Sequence, residues 1–193
     1  MRHSLHIEGS TFRLRPLTEQ DAEFVIELRT DPELSRYLHP ISRHVADQII
    51  WARKYFETPG DYCFVVERIR DSRAEGLISL YHVEPTIRTG ECGRWVLRRG
   101  SLAGVESCWL LYKIGFEHIG LESIYCLTLA ENGRTISFHD SCGLSRTSML
   151  KGYVKMKGRC YDAVKHELSR AAWPSVSMRM EKIVSRMARM AHV

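Results

Sequence analysis

Polar and apolar positions alternate from Thr11 to Leu17 as in a half-buried strand, and Thr18-Glu19-Gln20-Asp21 then supplies an N-cap with acids in the first turn. The helix predicted from there carries Ala22, Val25, Ile26 and Leu28 at helical spacing. It stops at Asp31-Pro32, because the residue before proline resists helical geometry. Val45, Ile49, Ile50, Trp51 and Tyr55-Phe56 predict a second helix that ends near Pro59-Gly60. The pattern then becomes strand-like. Runs at 62–68, 76–82 and 91–97 read as an antiparallel meander.

After a loop at 98–103, the positions Val105, Cys108, Trp109, Tyr112, Phe116 and Ile119 mark one face of a long central helix that Gly120 ends. The β-rich run 123–129 follows a helix directly, which suits a strand parallel to 91–97 and gives a βαβ unit. Asn132 to Cys142 predicts a short helix with Gly143 as its C-cap. Residues 144–149 and 153–168 predict a closing antiparallel hairpin. The expectation is one α+β domain over residues 1–173, followed at 174–193 by a basic amphipathic helix or tail. The tail's Met178, Met180, Ile183, Val184, Met187 and Met190 stand among Arg179, Lys182, Arg186 and Arg189, a pattern that suits docking on its own domain or on a second copy in a homodimer.

Composition narrows the classes without choosing a function. A net charge of +5 favours anionic ligands, but the basic residues form no dense stripe with interleaved aromatics, so no nucleic-acid partner is expected. Arg94, Arg98 and Arg99 do gather locally, which suits a phosphate-bearing small molecule. No apolar run approaches the roughly 18 to 20 residues of a membrane span, and Met1 to Gly9 lack a signal-peptide core, so the expected place is cytoplasmic and away from membranes. The six cysteines form no CxxC pair. His82, His118 and His166 lie on different predicted elements, so no metal site is expected. Cys126 and Cys142 have no sequence neighbour that would activate a thiol, so both read as packing residues.

The loop Arg98-Arg99-Gly100-Ser101-Leu102-Ala103-Gly104 carries the most chemistry, since a small-residue turn into a helix presents unpaired N–H groups to an anion. Alone, such a turn can equally be punctuation between elements. Three other segments stand in order with it. They are Leu14-Arg15-Pro16-Leu17-Thr18 with Asp21-Ala22 and Asp31-Pro32, then Glu91-Cys92-Gly93-Arg94-Trp95-Val96, and finally Asn132 to Leu144. Together the four resemble the GNAT superfamily of N-acetyltransferases, in the branches that hold ribosomal-protein and sugar-nucleotide N-acetyltransferases. Two departures stand out: Leu102 occupies the loop's middle-glycine position, and His139 the place of the usual tyrosine.

The resemblance implies a mixed, mostly antiparallel sheet, splayed between its fourth strand (91–97) and fifth (123–129), flanked by helices, with acetyl-CoA wedged in the gap. The pantetheine arm would pair with backbone near Val96 and Arg98. Amides of Arg99, Gly100, Ser101, Leu102, Ala103, Gly104 and Val105 would hold the pyrophosphate, and Asn132 would touch the pantetheine side. Direct transfer needs a neutral amine, and alkylamines titrate near roughly 10.4, so a proton acceptor is required. Glu91 is the candidate base, acting directly or through a water, and strand alternation puts it on one face with Gly93 and Trp95. A structural ion pair is the competing account of the same carboxylate. His139 is the candidate acid for the leaving thiolate, and packing is its competing account.

The acceptor is either a small amine, such as a nucleotide-linked amino sugar, or a protein N-terminus. Arg36, His39, Arg43 and Arg53 favour a phosphate-bearing small molecule. A non-catalytic acyl-CoA-binding module is the reading from another class.

Overall fold

The computed structural model describes residues 2–156 and 158–191. Eight strands form one sheet in the order β1-β2-β3-β4-β5-β6-β8-β7: β1 (Ile7–Glu8), β2 (Phe12–Pro16), β3 (Tyr62–Arg68), β4 (Arg73–Glu84), β5 (Thr89–Leu97), β6 (Ser123–Leu129), β7 (Ser145–Met156) and β8 (Arg159–Ser169). All neighbours are antiparallel except β5 and β6. The five α-helices are α1 (Ala22–Thr30), α2 (Val45–Phe56), α3 (Gly104–Lys113), α4 (Gly133–Cys142) and α5 (Trp173–Ala191). The α+β architecture expected from the sequence is the one observed.

Sheet alternation divides the apolar residues between two cores. Phe12, Leu14, Phe64, Val66, Ile78 and Leu80 point to the side covered by α3 and α5. Cys63, Val65, Leu77 and Val96 point the other way, toward Val25 and Leu28 of α1 and Tyr55 of α2. The central helix is not α-helical throughout. From Ile114 to Ile119 it widens into a π-turn, and Gly120 ends it with φ of 84°. In α5, Trp173, Val176, Met180 and Val184 form a buried stripe at helical spacing, with the Trp173 ring stacked 5.3 Å from Phe116. Met178, Ile183 and Met190 of the same helix face outward. Residues 192 and 193 of the expected tail lie outside the described residues. No helix among the described residues is long and apolar enough to cross a membrane.

Two departures from the sequence reading have local causes. The closing hairpin has its strands at Ser145–Met156 and Arg159–Ser169, so β7 runs straight through the expected turn between 149 and 153. Gly152, with φ of 57°, sits where the register slips between Leu150 and Val154, so the glycine that reads as a turn is a bulge inside β7. The second departure is β1, a two-residue edge strand too short to leave a periodic signal.

The opening motif earns its residues structurally. Arg15 binds Glu67 through Nε at 2.6 Å and Asp21 through both terminal nitrogens, while Asp21 accepts the Thr18 N–H at 2.8 Å. This network ties the start of α1 to β2 and β3. Burial alone would raise both acids, but the arginines win and hold Asp21 and Glu67 below the usual carboxylate range. A carboxylate depressed in the fold stabilises it above the unfolded value, roughly 3.9 to 4.3, and that contribution disappears as pH falls through the folded value. Arg15→Gln should therefore lower stability at neutral pH by about 3–5 kcal/mol and flatten the acid limb of stability against pH. Urea unfolding from neutrality down through that range measures both, and an acid limb as steep as the parent's would remove this network as its source.

Candidate active site

The ladder between β5 and β6 contains only Thr89↔Ser123, Gly90↔Ile124 and Glu91↔Tyr125. Beyond Glu91 the strands part, β5 running to Leu97 and β6 to Leu129 without pairing each other. The unpaired edge of β5 from Cys92 onward, Val96 included, thus borders an opening. At its far end Gly100 turns the chain with φ of 74°, and a side chain there would meet nothing within 4 Å, so the glycine serves the backbone angle and not space. Ser101 accepts the Ala103 N–H at 3.3 Å, and α3 then starts with no side chain capping it. No side chain occupies its first amides, which with the positive end of the helix dipole are the groups an anion site uses. Leu102 is 56% exposed, so the residue in the middle-glycine position does not fill the turn.

The arginines beside this turn do not project at it. Arg98 pairs with both oxygens of Glu27 and also donates Nε to the Ala74 carbonyl. Its N–H goes to Glu75 and its carbonyl accepts Ser101, so a ligand pairing with backbone at Arg98 would share that carbonyl's second lone pair. Arg99 binds both oxygens of Asp31 at 3.0 Å, and Glu33 at 2.7 Å. The charge expected to meet a diphosphate is turned onto α1 and the segment after it, acids that sequence proximity could not reveal. A groove of about 530 Å³ beside the loop is edged by Arg68, Arg70 and Arg73 as well, and each of these also has an acidic neighbour. A second cavity of about 460 Å³, under Tyr55 and Phe56, contains neither Glu91 nor His139.

Glu91 lies where pairing stops, 5% exposed. Tyr81, its register partner on β4, donates its hydroxyl to Oε1 at 2.7 Å, and His82 Nδ1 is 3.2 Å from Oε2. Burial first, and then the Glu91 charge, push the Tyr81 and Tyr125 hydroxyls up, so both stay protonated as donors. Gly93 makes room for this contact, since a Cβ there would stand 2.6 Å from the Tyr81 hydroxyl oxygen. His82 and Arg94, at φ of 50° and 48°, occupy left-handed backbone beside the two register shifts of the β4–β5 pair, each at a cost of roughly 1–3 kcal/mol.

The bulge at Arg94 overturns the expected alternation. Arg94 stays on the Tyr81 side, pairing with Asp61 at 2.7 Å, whereas Trp95 swings to the α3–α4 side. There Trp95 Nε1 donates to Ser107 and its ring packs 4.7 Å from Phe138. Glu91 and Gly93 share a face, and Trp95 is not on it.

His139 is buried on α4 at the other side of the opening, its ring 6.4 Å from Trp95. Asn132 caps this helix by accepting the Thr135 N–H at 3.3 Å, and Gly143 closes it in left-handed geometry. Burial lowers the basicity of His139, but Cys126, the first β6 residue past the ladder, outweighs it and the net shift is upward. Conversely, the neighbouring Cys92 thiol and His139 pull the Cys126 thiol down. Sequence reasoning therefore missed a partner for Cys126, along with Tyr81 and Tyr125. Strand register could have found Tyr81; Cys126 and His139 meet only through the βα crossover. Among the described residues, no group of three His, Cys, Asp or Glu is arranged to hold a metal ion.

A sequence profile of the acetyltransferase (GNAT) domain matches residues 11–145. No protein of curated function is significantly similar in sequence. Among solved structures, the chain resembles a GCN5-related N-acetyltransferase from Brucella melitensis (TM-score 0.82, 19% identity, 95% of this chain and 86% of that one). It also resembles spermidine N-acetyltransferase from Vibrio cholerae in complex with CoA and spermine (0.78, 19%, 86% and 99%). A third likeness is to FdhC, a nucleotide-linked sugar GNAT, in its apo form (0.76, 22%, 92% and 97%). At these identities the likeness bears on the fold alone.

If Cys126 raises the basicity of His139, Cys126→Ala should move the His139 titration midpoint to lower pH, burial then acting alone. Histidine-selective NMR across pH 5 to about 8, the range where imidazoles titrate, measures it. A midpoint that stays put would mean that the two groups are not coupled.

Proposed function

Because the chain belongs to the GNAT acetyltransferase family, we propose that it moves an acetyl group from acetyl-CoA directly to the primary amine of a small molecule, with a nucleotide-linked amino sugar as the acceptor class. The observation that carries this reading is the parting of β5 and β6 immediately past Glu91↔Tyr125, with a carboxylate on one face of the opening and an imidazole on the other. The uncapped start of α3, the left-handed turn at Gly100 and the unpaired edge of β5 fit a thioester carrier with a diphosphate. Val96 and the amides from Arg99 to Val105 are the residues that would hold it, with Arg98 bracing the loop and Asn132 at the pantetheine side. When bound, acetyl-CoA supplies the activated acyl group.

The chain's own residues handle protons and position. Glu91, oriented by Tyr81 and His82, takes the proton from the incoming ammonium, directly or through a water. His139 gives a proton to the CoA sulfur as the thiolate leaves, and the upward shift that Cys126 causes favours the protonated ring. The small acceptor is supported by the segment after α1, where the Tyr37 hydroxyl donates to the Glu131 carbonyl at 3.1 Å and ties that segment to the start of α4. Arg36, over the Tyr37 ring at 5.3 Å, is available to a phosphate, whereas Arg53 is already held by Glu19 at 2.9 Å. The nucleotide-linked sugar named for FdhC agrees with this choice.

Acetyl-CoA-dependent thiol release should appear with a panel of nucleotide-linked amino sugars. Release only with peptides bearing a free N-terminus would transfer the assignment to protein acetylation, and binding of acetyl-CoA without release to any amine would make the chain a binding module. Glu91→Gln and His139→Phe should each lower kcat by about 10² or more while calorimetry with acetyl-CoA changes little. Full turnover in either variant removes that residue from its role.

A further inference from the structure

His139 does not stand alone behind the opening. Its ring centroid is 5.3 Å from that of His166, a residue with no exposure at all. His166 is the register partner of Cys126 on one side and of Arg146 on the other, so its ring lies in the row that leads from the opening to the sheet edge. Its Nε2 is 3.1 Å from Asp140 Oδ1. Asp140, 36% exposed, reaches solvent and is gripped by Arg146 through Nε at 2.8 Å. The Nδ1 atoms of both histidines are buried without a hydrogen-bond partner. Buried polar atoms are satisfied in most structural settings, so two open nitrogens on adjacent imidazoles are a poor choice for packing; no hydrogen bond joins the two rings as they stand, and a rotation of one ring that brings a nitrogen of each together would let a proton pass between them.

We propose that His166 and Asp140 carry protons between solvent and His139, recharging the imidazole after each transfer. The proposal rests on the reading of His139 as the acid. In each cycle one proton leaves His139 on the CoA sulfur and one enters from water at Asp140, passing through His166. No other bond is made or broken, and no electrons move. Direct exchange from the opening is obstructed while products occupy it, so a route through the back of α4 is useful. The charged and titratable groups facing His166 are Cys126 from β6, Arg146 from β7 and His139 and Asp140 from α4, and on α5 Arg179 lies beside Gly143 and Cys142.

Two variants test it. His166→Gln keeps hydrogen bonding without titrating, and Asp140→Asn alters an accessible side chain that leaves the core intact. With the acceptor that the amino-sugar panel identifies, each should lower kcat by roughly tenfold or more while the KM for acetyl-CoA stays within about twofold. Added imidazole buffer should restore part of the rate in the variants and none in the parent, an effect that lost packing would not produce. Independently of any acceptor, NMR of the CoA-bound protein should show His139 and His166 titrating together, and His139 titrating alone in His166→Gln. Unchanged kcat in both variants, or a loss that imidazole does not relieve, overturns the relay, as does independent titration of the two rings. If His139→Phe turns over fully, the acid reading falls and the relay with it. If His139→Phe is slow while both relay variants are normal, the relay alone falls. Should His166→Gln not fold, Asp140→Asn and the NMR of the parent decide.

Discussion

The structure depends on a ladder that stops after three pairs. Paired to their ends, β5 and β6 would satisfy one another's backbone groups and leave no place for a ligand between them. What holds them apart is visible on both strands. On β5, the left-handed residue Arg94 bends the strand and is fixed there by Asp61, so Trp95 turns into the gap side against Phe138 and Ser107. On β6, the whole strand is paired with β8 on its other edge, from Ser123 to Leu129, which keeps it straight without help from β5. Ile124 is meanwhile clamped against the central helix, where a Cβ on Gly115 would stand 2.5 Å from its Cδ1.

The opening divides its chemistry between two sides, and the arginines after β5 join one side to the other. Glu91 and its tyrosine donors face α1 and α2, whereas His139, Cys126 and the start of α3 belong to the opposite layer. Arg98 and Arg99 could have faced an anion, yet they bind Glu27, Asp31 and Glu33. The turn between β5 and α3 is thereby fastened to α1 and the segment after it. An anion drawn to that turn competes with surface carboxylates for the same guanidinium groups. Arg99 and Glu33 lie in solvent, where water and salt screen an ion pair, so of the two guanidinium groups Arg99 is the one an anion can draw away, whereas Arg98 is also held by the Ala74 carbonyl.

Much of this was legible where the determinants are local. Val45–Phe56, Tyr62–Arg68 and Ser123–Leu129 were bounded by their own periodicity and punctuation, and α4 announced both its ends through Asn132 and Gly143. The GNAT resemblance then followed from four segments whose order the fold respects. What failed was anything that a bulge or a distant partner decides. Strict alternation put Trp95 beside Glu91, and one extra residue at Arg94 reversed that. Gly152 looked like a turn because a bulge and a turn demand the same backbone freedom. The carboxylates that occupy Arg98 and Arg99 lie on α1 and the segment after it, and Cys126 looked inert because the imidazole beside it arrives from the next helix of the crossover.

The substitution at 139 becomes intelligible in that company. A tyrosine hydroxyl titrates near 10, so it can hold its proton in a dry site without support, but it offers little protonated-to-deprotonated traffic near neutrality. An imidazole titrates in the working range and for that reason loses its proton when burial makes the charge costly. To serve as an acid it needs a neighbour that favours the protonated ring and a path by which the proton returns. Cys126 supplies the first, since it pushes His139 upward against burial, and the strand register that sets Cys126 beside His166 brings the second to the same spot. A tyrosine at 139 would need neither, which is the physical reason to read the histidine and its buried neighbours as one unit instead of as a single replaced side chain.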